Sequence, residues 1–366
     1  MITRIAPLLK LALAVATALL LLDVLAFRSG AYTRWIEPNS TAGSVVGATL
    51  SIQHQYVNHE KNVLVLGNSQ IGEGFSARVA DASIAPGQIH FINGSVPGTS
   101  LRVWNYLLRE VDPEATRFAA IVMMVDYEPG RVPLDLNDYP LDTSYLTPLL
   151  RLSDLDEYSS SFGSASLRAQ AARAILLPLQ ALHEDLLAFA REPFLRIRNI
   201  VKVRPGWLQS IEGYTGHAEA LPQFEIDPVT REPRDWSAID PALRSRLEGY
   251  FRALSHSAVD PGREKANDAY QNLWLGRIVD RYQKSGVPVI AFAVPRGPWQ
   301  RTLVPVAPVR GTLAALRDAQ RIVLLPGDAF IELEQPQYFF DTLHMNRVGR
   351  EQFSSLFAHA IAPLVH

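Results

Sequence analysis

The sequence predicts an α/β fold: a three-layer α/β/α sandwich on a parallel sheet, with a mainly helical insertion and an N-terminal transmembrane helix. Three observations lead there. Short continuous apolar runs, VLVL at 63–66, AAIVMMV at 119–125 and VPVIAFAV at 287–294, read as strands covered on both faces. Segments with helical spacing separate them, and strands alternating with helices imply a parallel sheet flanked on both sides. Residues 5–27, IAPLLKLALAVATALLLLDVLAF, carry no charge between Leu11 and Leu22, and about 20 apolar residues span a bilayer as a helix.

Taken from the N-terminus, residues 1–28 read as a signal anchor. Lys10 and Asp23 lie near its ends, where a charge is least costly. A cleaved signal peptide is the competing reading, but no convincing small-x-small cleavage site follows. The free amino group, Arg4 and Lys10 favour a cytoplasmic N-terminus. That implies a single-pass protein of a bacterial-type inner membrane, with its catalytic domain on the periplasmic, extracytoplasmic side.

Residues 29–60 then form a juxtamembrane segment and 61–366 the catalytic domain. Asn62 to Leu66 is the first strand and QIHFI, 88–92, the second; Ser100 caps a helix running to Val111, and 119–125 is the third strand. An insertion occupies about 130–268. Within it, EPFLRIRNIVKVR (192–204), if extended, puts Arg196, Arg198, Lys202 and Arg204 on one face. That face suits a charged edge strand, or a basic surface for an anionic glycan or lipid headgroups. The alternation resumes with a helix over 269–284, a fourth strand, a helix over 311–319, the short strand RIVLL and a final helix over 347–364.

Composition excludes several classes. With 35 basic against 37 acidic residues the net charge is −2, so nothing points to nucleic acid. The chain has no cysteine, which excludes disulfides, thiolate metal sites and a cysteine nucleophile. The acidic residues and histidines show no metal-ligand spacing.

The candidate chemistry sits at the end of the first strand. Ligands of open parallel sheets gather beyond the carboxyl ends of the strands, and Ser69, in GNS, follows the first strand directly. A serine hydroxyl needs a base, usually a histidine oriented by a carboxylate. Of the nine histidines, His344 stands apart, three residues after Asp341 in FFDTLHMNRVGREQF. In a loop, that spacing lets the carboxylate fold back onto the near ring nitrogen and leave the far one free. Asn346 suits the cap of the helix that follows, so Asp341 is not needed there.

Together these blocks resemble the SGNH (GDSL-type) hydrolases. GNS at 67–69 is similar to the family's first block, with Asn68 where many members have Asp, and Asp341-Thr-Leu-His344 resembles the block carrying Asp and His. FINGSVPGTS, 91–100, resembles the second block, whose glycine amide binds the oxyanion; Gly98 is the better match and Gly94 the alternative. The third block departs: where the family has Gly-x-Asn-Asp, this chain reads MMVDYEPG. Asp126 and Glu128 lie at the mouth of the site, yet an ionised carboxylate cannot donate to an oxyanion and would repel it. Arg296, just after the fourth strand, is a positive substitute donor.

The resemblance implies a catalytic set of Ser69, Asp341 and His344, with Gly98 at the oxyanion and no cofactor; position beyond the strand ends adds Arg296 and Asp126 to the oxyanion and substrate set, and no metal is expected. It also implies a membrane-anchored serine esterase or O-acyltransferase acting on acyl esters, acetyl above all, of a polysaccharide or other cell-envelope polymer, as in polysaccharide O-acetylation or DltD-type chemistry. Its partners would be that acylated glycan, the membrane and other polysaccharide-modification membrane proteins. The altered third block and the long insertion leave a second reading, a catalytically relaxed binding or scaffold protein. A lipase-like enzyme with a wide apolar mouth is a third.

Overall fold

The computed structural model describes residues 5–87, 89–128, 135–227, 229–237, 239–255 and 260–365. They fall into two compact units, one of Met1–Gly47 with Asn137–Leu208 and one of Ala48–Leu136 with Gln209–His366.

The second unit is built on a parallel five-stranded sheet: β1 (Asn62–Leu66), β2 (His90–Asn93), β3 (Ala120–Met124), β4 (Val289–Phe292) and β5 (Val323–Leu324), in the order β2-β1-β3-β4-β5. Every residue of β1, β3 and β4 is buried, as continuous apolar runs require when both faces are covered. On one face the helix Pro261–Gln283 packs against both Leu101–Val111 and Gly311–Asp318. On the other, the final helix, Arg347–Ile361, packs on Ser69–Gly74 and Ala77–Ala82. There Phe75, Phe91, Phe292, Phe330, Phe353 and Phe357 form a continuous aromatic cluster. The edge of β2 is covered rather than bare: Gln55, ending the helix Thr41–Gln55, donates to Asn93 O and accepts from Asn93 N.

The first unit is helical. Its centre is Arg196, 6% exposed, paired with Glu37 and Asp185, while the Tyr32 hydroxyl donates to Asp185. The segment 192–204 is therefore not an extended basic edge. It belongs to the helix Pro193–Gly213, and burying Arg196 between two carboxylates overrides the two-residue alternation seen in the sequence. Arg198 and Lys202 are exposed; the side chains of Arg204 and Trp207 lie outside the described ones.

The transmembrane anchor over 1–28 is overturned, and the juxtamembrane role of 29–60 goes with it. Among the described residues no helix is long and apolar enough to cross a membrane. The α-helix Ile5–Leu22 has 18 residues, about 27 Å of rise against a hydrocarbon core of about 30 Å. Where the span should continue, Asp23–Arg28 turns as a wider π-helix. The buried Asp23 carboxylate there pairs with Arg28 and accepts from Leu179 N, tying this end into the helical unit. The single-pass inner-membrane placement with a periplasmic domain rested on the same helix and is withdrawn.

Candidate active site

Ser69 opens the short helix Ser69–Gly74, immediately beyond the sheet. The turn is shaped by its neighbours. Asn68 caps the helix, its side chain accepting from Gln70 N at 2.8 Å. Gly67 is required by close approach: a Cβ there would collide with Ile71 Cγ1 and stand 3.3 Å from Met124 Sδ. The strand thus turns sharply and leaves the Ser69 hydroxyl partly exposed.

His344 and Asp341 reach this hydroxyl from the far end of the chain. The loop between them is closed by Asp341 Oδ1, which accepts from Leu343 N at 2.8 Å and His344 N at 2.6 Å. Asp341 Oδ2 lies 2.9 Å from His344 Nδ1, and His344 Nε2 lies 2.9 Å from Ser69 Oγ. Partial burial opposes ionisation of Asp341, but the bonds from the His344 ring, His344 N and Leu343 N outweigh it and hold the carboxyl below its usual range. Asn346 caps the final helix by accepting from Gly349 N. The helix start therefore holds the loop in place without using Asp341.

Compared with protein-family models and with curated proteins, the chain matches none.

The other predicted residues separate. Gly98 sits in a turn after β2 with φ +72°, a conformation suited to glycine. Its loop is tied to the nucleophile turn, Val96 N donating to Gly67 O at 2.9 Å, and its own amide donates to no described residue. Gly94 does not share that freedom: its amide donates to Val65 O, and a Cβ would press on Leu64 and Leu66. Arg296 is not a free donor. Its guanidinium grips Glu334, 3% exposed, through Nε (2.8 Å) and Nη2 (2.7 Å), while Nη1 donates to Pro305 O. Asp126 lies three residues beyond Met123 of β3, as Ser69 lies three beyond Leu66 of β1, and Leu66 and Met123 are register partners. Its side chain is open to solvent.

Trp236, Trp274 and Trp299 each pack against another aromatic ring. Trp274 is fully buried; Trp299, 5% exposed, stacks on Phe224, and Trp236 stands edge-on to Phe251.

Sequence reading missed a group of side chains around the site. The His344 ring stacks on Phe340 and Phe340 on His217, with centroids 5.8 and 3.8 Å apart, and His217 O accepts from Arg347 N. The Tyr214 hydroxyl donates to Glu73 on the nucleophile helix. The buried Arg350 donates to Gly72 O and Glu73 O at 2.7 Å, satisfying carbonyls at that helix's C-terminal end, and lies over the Tyr214 ring. Burial lowers the Arg350 guanidinium to about 10. Phe340, beside Asp341, was the one available signal. His217 and Tyr214 lie in a region without strong periodicity, and only folding brings them here.

Proposed function

We propose that the protein is a serine ester hydrolase or acyltransferase of the SGNH type, with Ser69 as nucleophile, His344 as general base and Asp341 as the carboxylate that orients it. The observation that carries this reading is the unbroken relay Asp341 Oδ2–His344 Nδ1, His344 Nε2–Ser69 Oγ, each link 2.9 Å. That spacing lies within the hydrogen-bond reach proton transfer needs. The relay also favours an enzyme over the scaffold reading, since a relaxed site has no reason to keep a base aimed at a serine.

Ser69 Oγ attacks the ester carbonyl as its proton passes to His344 Nε2, and the resulting imidazolium is stabilised by Asp341. The amides of Ser69 and Gly98 receive the oxyanion. Collapse expels the alkoxide, which takes the proton from His344. Water or a sugar hydroxyl, deprotonated by the same imidazole, then attacks the acyl-serine and regenerates Ser69. The substrate class that the resemblance implies is an acyl ester, acetyl above all, on a polysaccharide or similar polymer.

The test is fluorophosphonate labelling of the full chain beside hydrolysis of p-nitrophenyl acetate, with an oligosaccharide acceptor added to separate hydrolysis from transfer. Labelling at Ser69 with turnover, both lost in Ser69→Ala and His344→Ala, is the expected result. Variants as active as the wild type would sink the reading.

A further inference from the structure

Imidazole nitrogens bond in the plane of their ring. The two bonds of His344, Nδ1 with Asp341 Oδ2 and Nε2 with Ser69 Oγ, therefore hold its edges and do little to stop it tilting. A contact on the ring face does that. Phe340 supplies one, stacked within 15° of parallel at 5.8 Å between centroids. Phe340 is itself pinned by His217, whose ring centroid lies 3.8 Å from its own.

The segment that carries His217 is fastened to both halves of the site. The Tyr214 hydroxyl donates to Glu73 on the nucleophile helix. His217 O accepts from Arg347 N at 2.7 Å, and Leu221 N donates to Phe339 O at 2.9 Å, on either side of the Asp341–His344 loop. Between them Gly216 has φ +88°, and a Cβ there would stand 3.1 Å from Arg347 Cα. Glycine meets both demands, the positive φ and the close passage of the chain over the helix start.

We propose that Phe340, pinned by His217, is a positioning residue that keeps the His344 ring aimed, and that it acts chiefly in the acyl-enzyme. This rests on the serine-esterase reading. In the free protein His344 is held at both nitrogens. Once Ser69 Oγ is esterified it has no proton to donate, Nε2 loses that bond, and the ring is left with Asp341 at one edge and Phe340 at its face. In this state Nε2 must take a proton from water as the water oxygen bonds to the acyl carbon. The bond from Ser69 Oγ to carbon then breaks, the proton passes from His344 to Oγ, and the carboxylic acid leaves. A ring free to tilt points Nε2 away from that water, and misplacing a base lowers the rate without changing which groups react.

The experiment uses the full chain and p-nitrophenyl acetate. Stopped-flow release of p-nitrophenolate reads acylation; decay of the acetyl adduct, followed on the acid-quenched intact chain by mass spectrometry, reads deacylation. Phe340→Leu keeps apolar bulk without a flat face, and it slows deacylation about two- to tenfold, the worth of one aromatic stack, with a smaller loss in acylation. Phe340→Tyr keeps the face and retains both rates. His217→Ala removes a side chain that is 47% exposed, so the fold tolerates it; deacylation slows by a smaller factor, and this variant carries the test if Phe340→Leu fails to fold. Melting temperatures report which variants are folded. A folded Phe340→Leu or His217→Ala with wild-type deacylation, acylation slowed as much as deacylation, or a folded Phe340→Tyr as slow as Phe340→Leu overturns the proposal. No acetyl adduct on Ser69 in the wild type, or ester turnover surviving in Ser69→Ala, would instead refute the serine-esterase reading beneath it.

Discussion

Replacing Asp341 by asparagine tests how the relay is wired. Two backbone amides, Leu343 N at 2.8 Å and His344 N at 2.6 Å, hold Asp341 Oδ1. An asparagine keeps those bonds only with its carbonyl oxygen in that place, which turns its NH₂ toward His344 Nδ1. Flipping the amide would set two N–H donors against its NH₂ and forfeit both bonds, about 1 kcal/mol or more each. Facing an N–H donor, Nδ1 must accept, so the ring proton moves to Nε2, 2.9 Å from Ser69 Oγ. That nitrogen can no longer take the serine proton. The same substitution in a serine-protease triad costs about 10⁴ in kcat, or about 5.5 kcal/mol of transition-state stabilisation. Steady-state hydrolysis of p-nitrophenyl acetate, with the melting temperature as a fold control, checks this. A folded Asp341→Asn chain within about tenfold of wild type would refute the proposed roles of Asp341 and His344.

Two further outcomes follow from the same geometry. Gly67→Ala forces a methyl group into Ile71 and against Met124; a loss of about 1–3 kcal/mol is expected, read as an earlier urea midpoint, with ester turnover reduced because the Ser69 turn shifts. The Asp341 carboxyl titrates below its usual range in the fold, so its contribution to stability is present above its unfolded value of about 3.9 and lost as the pH falls through the lower folded value. Urea unfolding of wild type and Asp341→Asn should therefore differ at neutral pH and converge in acid; a gap that persists at low pH would contradict this.

The sheet was legible because each of its five strands lies in or overlaps a short run rich in apolar residues. The runs at 62–66, 88–92, 119–125 and 287–294 are short and mostly apolar, and four of the five strands lie within or overlapping them; β5, Val323–Leu324, falls within RIVLL. Element ends were less legible. The helix predicted from 269 begins at Pro261, where Asp260 caps it by accepting from Gly262 N and Arg263 N. The N-terminal run misled because hydropathy counts residues, whereas the chain's course at Asp23 depends on a distant carbonyl and amide at Leu176 and Leu179. The segment 192–204 misled for a related reason: its alternation is real, but Arg196 is claimed by Glu37 and Asp185.

What the sequence determined by itself was the set of reacting groups. A serine after a buried strand and an Asp-x-x-His loop before a capped helix are local patterns, and each follows from nearest-neighbour backbone chemistry. The tertiary structure alone decided how far they act together and what surrounds them. It set the 2.9 Å approach of His344 to Ser69 across 275 residues of chain and stacked Phe340 and His217 behind the imidazole. It also turned Arg296 toward Glu334 and tied the Asp126 carbonyl to Gln271. Such choices depend on which side chains the packed sheet brings within a few ångströms, and on how completely they satisfy or desolvate each other's charges.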